Sequence, residues 1–130
     1  MIADYDNEYS KFFDVAVEGS MPVLATRSLV LFPGIISPIL IGRKQSLSLL
    51  KYVNKLEDPI FTVFCQKDNN VEKPEEKDLY RYGVYARLMK VIDMPGPGNN
   101  VTAIVQAMGR CELRKITRLT PYIVGDVAPA

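Results

Sequence analysis

The sequence predicts a mainly β protein of the α+β class, in which a twisted antiparallel sheet curls into a pseudo-barrel with one main helix. Three observations support this. Six or seven short apolar segments are rich in β-branched and aromatic residues, a single segment has helical periodicity, and prolines and glycines separate the segments. Strands joined in succession by short links pair mainly antiparallel, and a strongly twisted sheet tends to close on itself.

The first apolar stretches are predicted to be extended chain with a tight corner. Extended pieces are expected at 22–25 and 29–32, and a second strand at 35–41. Proline fixes φ and lacks a backbone N–H, so Pro33 and Pro38 exclude a helix and a central strand at those positions. The second strand is therefore bent or lies at an edge.

One helix and one central strand follow. Helical spacing predicts a helix over 43–56 with Gly42 as its N-cap, and Asp58-Pro59 ends it. The segment Ile60–Cys65 is continuously apolar and β-prone, which predicts a strand covered on both faces. The apolar side chains at helical spacing are Leu49, Leu50, Val53 and Leu56.

The second half of the chain alternates apolar and turn-forming segments. Residues 66–78 are almost wholly polar and predict a solvated loop, and the prolines and glycines at 94–100 predict the turn of a long hairpin. Strands are predicted at 84–93, 101–108, 111–117 and 122–127.

Charge is uneven along the chain and predicts its domain organisation. Residues 1–20 hold one lysine against five acidic residues, whereas residues 21–130 hold 15 basic and 10 acidic residues. We therefore expect an acidic N-terminal arm at 1–20 and one domain at 21–130. The whole chain has a net charge of +1, and nucleic-acid binding proteins are usually clearly basic, so nucleic acid is not an expected partner.

Two cysteines and the hydropathy pattern indicate the compartment. Cys65 and Cys111 lie far apart and match no metal-binding spacing, and Cys65 ends an apolar run, so free thiols and a reducing cytoplasm are expected. No stretch approaches the roughly 20 apolar residues of a membrane span. No membrane partner is predicted.

The sequence offers no catalytic, cofactor-binding or metal-binding residues. The chain contains no histidine, which removes the usual base of nucleophile pairs and the commonest metal ligand. It also contains no phosphate-binding loop and no dinucleotide fingerprint. These features favour a binding module that uses no cofactor of its own.

A polypeptide-binding surface is the one candidate site. Apolar side chains crowd around the Pro33-Gly34 corner, which must lie near the surface. They either fill the core beneath the bend or form an exposed patch that grips unfolded polypeptide. The loop tip Met94–Gly98 is a second candidate, and three arginines (Arg43, Arg87 and Arg110) are expected to pair with carboxylates or carbonyls. The residues of the corner site are Leu31, Phe32, Pro33, Ile35 and Ile36.

Several short motifs in order resemble the amino-terminal domain of the Lon proteases from Met21 onward. Departures are small: Ala107 replaces a glycine of that family, Gly125 stands where alanine is common, and Ala25–Ser28 keeps only the arginine of a Pro-Leu-Arg-Asp string. The matching residues are Pro22-Val23-Leu24, Arg27, Phe32-Pro33, Pro38, Gly42-Arg43, Ser46, Asp78-Leu79-Tyr80, Gly83, Ala86, Arg110, Pro121-Tyr122 and Val127.

The resemblance implies a fold, a function and partners. Lon proteases are cytoplasmic, ATP-dependent serine endopeptidases that form homo-oligomeric rings and degrade misfolded and regulatory proteins. Their amino-terminal domain has a PUA-like fold and is expected to recognise unfolded substrates. The ATPase module, with its ATP and Mg, and the protease module would lie beyond Ala130, so residues 1–130 are expected neither to hydrolyse ATP nor to cleave peptides.

Three interpretations of the chain remain at this point. The chain is either part of such a protease or a stand-alone adaptor domain of the same family. A PUA-like RNA-binding module is a further alternative, suggested only by similarity of fold.

Overall fold

Six strands and one helix form in the parts of the chain that the structure describes. The computed structural model describes residues 18–27, 31–96, 98 and 100–130. The predicted arm falls almost wholly outside these residues, as does half of the predicted piece at 29–32. The elements are β1 Gly19–Thr26, β2 Ile36–Ile41, α1 Lys44–Asn54, β3 Ile60–Cys65, β4 Tyr82–Asp93, β5 Val101–Arg118 and β6 Ile123–Pro129, with a 3₁₀ turn at Glu76–Asp78.

The strands close into a ring. The order in the sheet is β2-β5-β4-β3-β1-β6, and β6 also pairs with β5, so five strands form a closed ring with β2 added beside it. The 18 residues of β5 make this possible, because its first half pairs with β2 and its second half with β6. The predicted mainly β pseudo-barrel with one main helix is confirmed.

One pairing is parallel, which the sequence did not predict. β1 lies parallel to β3, with Val23 opposite Thr62 and Thr26 opposite Cys65. The chain leaves β1, passes through β2 and α1, and returns along the same direction in β3. Such a crossover needs more residues than a hairpin, and here the intervening strand and helix supply them.

Two local predictions were wrong. The strands expected at 101–108 and 111–117 are one continuous strand: Ala107 lies opposite Ala86 and Arg110 opposite Val84, and a register shift between these two pairs accommodates Gly109. The N-cap of α1 is Arg43 rather than Gly42, since the Leu47 amide donates to the Arg43 carbonyl at 2.9 Å. Gly42 instead lies against Asn100, whose Oδ1 would be 2.5 Å from an added Cβ.

The ring separates two apolar cores. The inner core receives side chains from all five ring strands and none from the helix. The outer core lies between the sheet and α1, where Leu49, Leu50 and Val53 pack. Alternation in β3 serves both cores, and its four middle residues are each at most 4% exposed, as predicted for a strand covered on both faces. The inner core contains Met21, Val23, Ala25, Phe64, Leu79, Tyr85, Met108, Cys111, Leu113, Ile123 and Val127.

Candidate functional site

The predicted corner is a tight turn. The Ile35 amide donates to the Phe32 carbonyl at 3.1 Å, and Gly34 has a φ of 88°. Proline in the second position and a residue with positive φ in the third are the requirements of a type II turn, which Pro33 and Gly34 meet. The local sequence therefore fixes this turn by itself.

Backbone hydrogen bonds then attach the corner to the middle of β5. The Gly34 amide donates to the Ala107 carbonyl at 2.8 Å, and the Ala107 amide donates to the Ile35 carbonyl at 2.9 Å. Because Ala107 is fully buried, the corner rests on a rigid part of the sheet. The backbone that carries the projecting side chains is therefore fixed before any other polypeptide binds.

Four of the five predicted site residues project outward. Phe32 is 66% exposed, Ile35 51% and Ile36 56%, and Pro33 is also exposed. Leu31 is buried in the outer core. The two interpretations of the corner therefore apply to different residues: Leu31 anchors the turn, and the other four form an exposed apolar patch.

A groove of about 710 Å³ opens beside this patch. We call it the corner groove. Phe32 and Pro33 line it from the corner, Tyr80 lines it from just before β4 and Tyr82 from the first residue of β4. Val63 and Gly83 are also among its lining residues. Both tyrosines are about half exposed, at 52% and 54%. A volume in this range suits one or two side chains of an extended peptide.

Gly83 lets β4 approach β3 at the groove. A Cβ at this position would collide with the Val63 carbonyl oxygen and would lie 2.7 Å from the Phe64 ring. Any larger residue would push the two strands apart. The sequence motif Asp78–Gly83 thus places two tyrosines on the surface and ends on the residue that brings them close to the corner.

Sequence reasoning missed most of the groove. It did not assign a binding role to Tyr80, Tyr82, Lys67 or Arg81, which all line it. The available signal was the pair of tyrosines two positions apart around Arg81, since a bulky aromatic that does not alternate into the core is often a surface contact. Their proximity to Phe32 depends on the sheet and has no local signature.

The three arginines singled out by sequence behave differently. The Arg43 guanidinium donates to the Val71 carbonyl at 3.2 Å, and Arg87 pairs with Asp58. Arg110 has no side-chain partner among the residues that the structure describes, and it lines the corner groove. In the second candidate site, Met94–Gly98, Pro97 lies outside the described residues. Met94 is 43% exposed and does not line the corner groove.

Metal-binding clusters and membrane-spanning helices are both absent from the described residues. No group of three or more histidine, cysteine or acidic side chains among them could hold a metal ion. None of their helices is both long enough and apolar enough to cross a bilayer.

A closed β ring with one covering helix and an apolar corner on a fixed turn defines a small β-barrel domain with an exposed contact surface. The family described as "ATP-dependent protease La (LON) substrate-binding domain" matches residues 20–130. The chain belongs to this family.

Curated relatives and solved structures agree. The Lon protease of Porphyromonas gingivalis is 39% identical over 94% of this chain, and that of Parabacteroides distasonis is 35% identical over 95%. This chain spans only 14% and 15% of their respective lengths. The N-terminal domain of a Mycobacterium avium complex Lon protease has the same fold, with a TM-score of 0.66 and 18% identity over 85% of this chain and 54% of that one. A Lon N-terminal domain protein from Xanthomonas campestris also has this fold, with a TM-score of 0.62 and 18% identity over 85% of this chain and 59% of that one.

Proposed function

We propose that this chain is the substrate-recognition domain of an ATP-dependent serine protease of the Lon type, which degrades misfolded and regulatory proteins. One observation carries the proposal: four apolar side chains of the corner are exposed on a turn that is hydrogen-bonded to a buried strand. An exposed apolar patch on a rigid support is a surface for binding other polypeptides. Phe32, Pro33, Ile35 and Ile36 make the contacts, and Leu31 holds the turn.

Capture by this surface is weak for one domain. Each side chain buries a modest apolar area on a partner, at about 25 cal/mol per Å², and binding must also offset the lost freedom of both molecules. Several domains held in a homo-oligomeric ring would bind one unfolded chain at several points and raise the apparent affinity by about 10² or more. We therefore include assembly of the intact protein into a homo-oligomeric ring in the proposal.

The proposed division of labour places the chemistry elsewhere in the protein. In this proposal residues 1–130 recognise substrate, an ATPase module binds ATP and Mg, and a protease module cleaves peptide bonds. The chain spans 14% of the Porphyromonas gingivalis relative, which leaves room for both modules in a protein of that length. The setting is the cytoplasm. Purified 1–130 should accordingly leave ATP and unfolded protein intact.

The corner can be tested with a defined unfolded probe. Fluorescent α-lactalbumin that has been reduced and blocked with iodoacetamide is titrated with the native chain and with a Phe32→Ser/Ile35→Ser variant. We expect the variant to bind roughly tenfold or more weakly, because two apolar contacts of about 1 kcal/mol each are removed. Ile92→Ser/Leu119→Ser is the matched control, since both residues are exposed apolar side chains outside the groove, at 41% and 38%.

Equal binding by the native chain and the corner variant would reject the corner as the site. A loss of binding in the control variant alone would move the site to a different surface. Circular dichroism of each variant verifies that the β ring is intact.

A further inference from the structure

The charged side chains of the corner groove all have the same sign. Its lining residues include the cations Lys67, Arg81 and Arg110, and they include no aspartate or glutamate. The ion pairs among the described residues join Arg87 to Asp58, and Arg114 to Glu18 and Glu112. The three groove cations form no ion pair with any residue in that part of the chain.

Backbone hydrogen bonds hold the segments that carry these cations. The Lys67 amide donates to the Asp78 carbonyl at 2.8 Å. This hydrogen bond lies next to an isolated antiparallel β-bridge between Gln66 and Leu79. The Arg81 carbonyl accepts from the Leu113 amide at 2.7 Å, and the Arg110 carbonyl accepts from the Ala130 amide at 3.1 Å. The cations therefore start from fixed backbone positions around one groove.

Aromatic surface lies between them. Phe32, Tyr80 and Tyr82 line the same groove and are each more than half exposed. Aromatic faces bind apolar and aromatic side chains, whereas guanidinium and ammonium groups at the border of a partly desolvated groove favour carboxylates. A ligand that satisfies both carries an apolar group beside a negative charge.

We propose that the corner groove selects, among unfolded polypeptides, segments in which an aromatic or large aliphatic side chain lies next to acidic residues. This inference rests on the proposed function and adds a charge preference to it. The apolar side chain enters between Phe32 and the two tyrosines, and the neighbouring carboxylates approach Arg81, Arg110 and Lys67. Segments rich in lysine or arginine are disfavoured by the same field.

Single-stranded nucleic acid also combines aromatic rings with negative charge, but the structure favours a peptide. Nucleic acid is bound along a positively charged groove that tracks several phosphates. Here the cleft next to the corner groove is lined by four cations (Lys67, Lys77, Arg81 and Arg114) and by Glu75 and Glu76, so carboxylates that would repel phosphates lie among the cations. The whole chain has a net charge of only +1.

Two matched peptides test the charge preference. One short fluorescent peptide carries two phenylalanines flanked by glutamates, and the other has glutamines in place of the glutamates. We expect the acidic peptide to bind roughly tenfold more tightly at about 0.05 M salt, since each exposed ion pair is weak but three of them act together. The difference should shrink at about 0.5 M salt, where the Debye length is only a few ångströms.

Variants assign the preference to the groove. Arg81→Gln/Arg110→Gln should remove most of the difference between the two peptides, because only Lys67 remains, and should leave the affinity for the neutral peptide unchanged. Lys44→Gln/Lys55→Gln removes the same charge at the two ends of α1, outside the groove, and should preserve the difference. Both variants change surface side chains only, and circular dichroism monitors their folding.

The outcomes separate this inference from the proposed function. Equal affinities for the two peptides, with unfolded α-lactalbumin still bound, would overturn the charge preference alone. Failure of the native chain to bind either peptide or α-lactalbumin would overturn both proposals. Displacement of the acidic peptide by a single-stranded oligonucleotide at a lower concentration than by unlabelled peptide would assign the groove to nucleic acid.

Two further occupants are distinguished in the same assay. Peptide binding that appears only after residues 1–17 are removed would assign the groove to the acidic start of the chain itself and overturn the proposal. Self-association that depends on concentration and is lost in Arg81→Gln/Arg110→Gln would assign it to a second copy, with the same consequence.

Discussion

The inner core of the ring and the corner groove contain the same kinds of side chain in opposite surroundings. Each region contains a cysteine and a tyrosine. Cys111 and Tyr85 are fully buried in the inner core, whereas Cys65 and Tyr80 line the corner groove. Burial raises the pKa of Cys111 and of Tyr85 to about 12 each. The comparison shows that the environment made by the sheet, and not residue type, decides which groups are available for contact.

Gly83 lies between the two regions. It lines the groove, its Cα lies opposite that of Cys111, and its backbone amide interacts with the buried thiol and partly offsets the rise in the pKa of that thiol. One strand therefore presents buried groups to the inner core and exposed groups to the groove within two residues. The division between the two regions can be tested by labelling, substitution and pH.

The two cysteines should differ greatly in their rates of reaction with a thiol reagent. With a pKa of about 12 in place of 9.0, the Cys111 thiol has about a thousandfold smaller thiolate fraction near neutral pH than an ordinary thiol, and it is fully buried. We expect Ellman's reagent to modify Cys65 rapidly and Cys111 only on unfolding. A Cys65→Ser variant should lack the rapid phase.

The same assay reports on the groove. Saturation with the acidic phenylalanine peptide should slow the rapid phase, because Cys65 lines the cavity that the peptide fills. Equal labelling rates of the two thiols in the native chain would contradict the division between the regions, and an unchanged Cys65 rate in bound protein would place the peptide elsewhere.

Substitution of Gly83 should disturb both regions together. Gly83→Ala places a methyl group against the Val63 carbonyl and the Phe64 ring, and the strain should lower the free energy of unfolding by about 1–3 kcal/mol. Urea unfolding followed by circular dichroism measures the change. Since Phe64 belongs to the inner core, the rate of Cys111 labelling should increase in the same variant.

Gly125→Ala is the matched comparison. Its added Cβ would lie 2.9 Å from the Lys115 carbonyl and 2.9 Å from Leu113 Cδ1, the movable end of a side chain. We expect a smaller loss of stability than for Gly83→Ala. A larger loss for Gly125→Ala would show that the β5–β6 pairing, and not the β3–β4 approach, tolerates crowding less.

A rise in pH from 9 to 10 should lower the free energy of unfolding by a small amount, because the inner core contains a buried thiol and a buried phenol. Thiols and phenols are neutral below their pKa, and both folded-state values are raised, so this contribution to stability is complete below about pH 9 and is lost as pH rises through about 12. From pH 9 to 10 the unfolded-state thiol, with its ordinary pKa of 9.0, lowers the folding equilibrium about fivefold, and the unfolded-state phenol, with its ordinary pKa of 10.0, lowers it about twofold. We therefore expect about a tenfold fall in total.

The readout is the slope of stability against pH. Cys111→Ala lowers stability at every pH because it removes packing, but its slope between pH 9 and 10 should flatten. Cys65→Ala, in the groove, should keep the slope of the native chain. An unchanged slope in Cys111→Ala would assign the alkaline transition to other groups.

Much of the fold follows from local sequence. The helix over Lys44–Asn54, the strand Ile60–Cys65 and the Pro33-Gly34 turn were predicted because each depends on periodicity, propensity or φ constraints within a few residues. The unbroken β5 was missed for a related reason. Gly109 resembles a break in isolation, yet a register shift accommodates it and the pairing with β4 continues on both sides of it.

The candidate site divides in the same way. The sequence by itself determined an apolar corner at Phe32–Ile36, since proline and glycine require a turn there and the neighbours are apolar. Only the tertiary structure decided that Leu31 turns inward and that Phe32, the two tyrosines and three cations line one groove. These residues are far apart in the chain, and ring closure by β5 and β6 and the parallel β1–β3 pair bring their strands together.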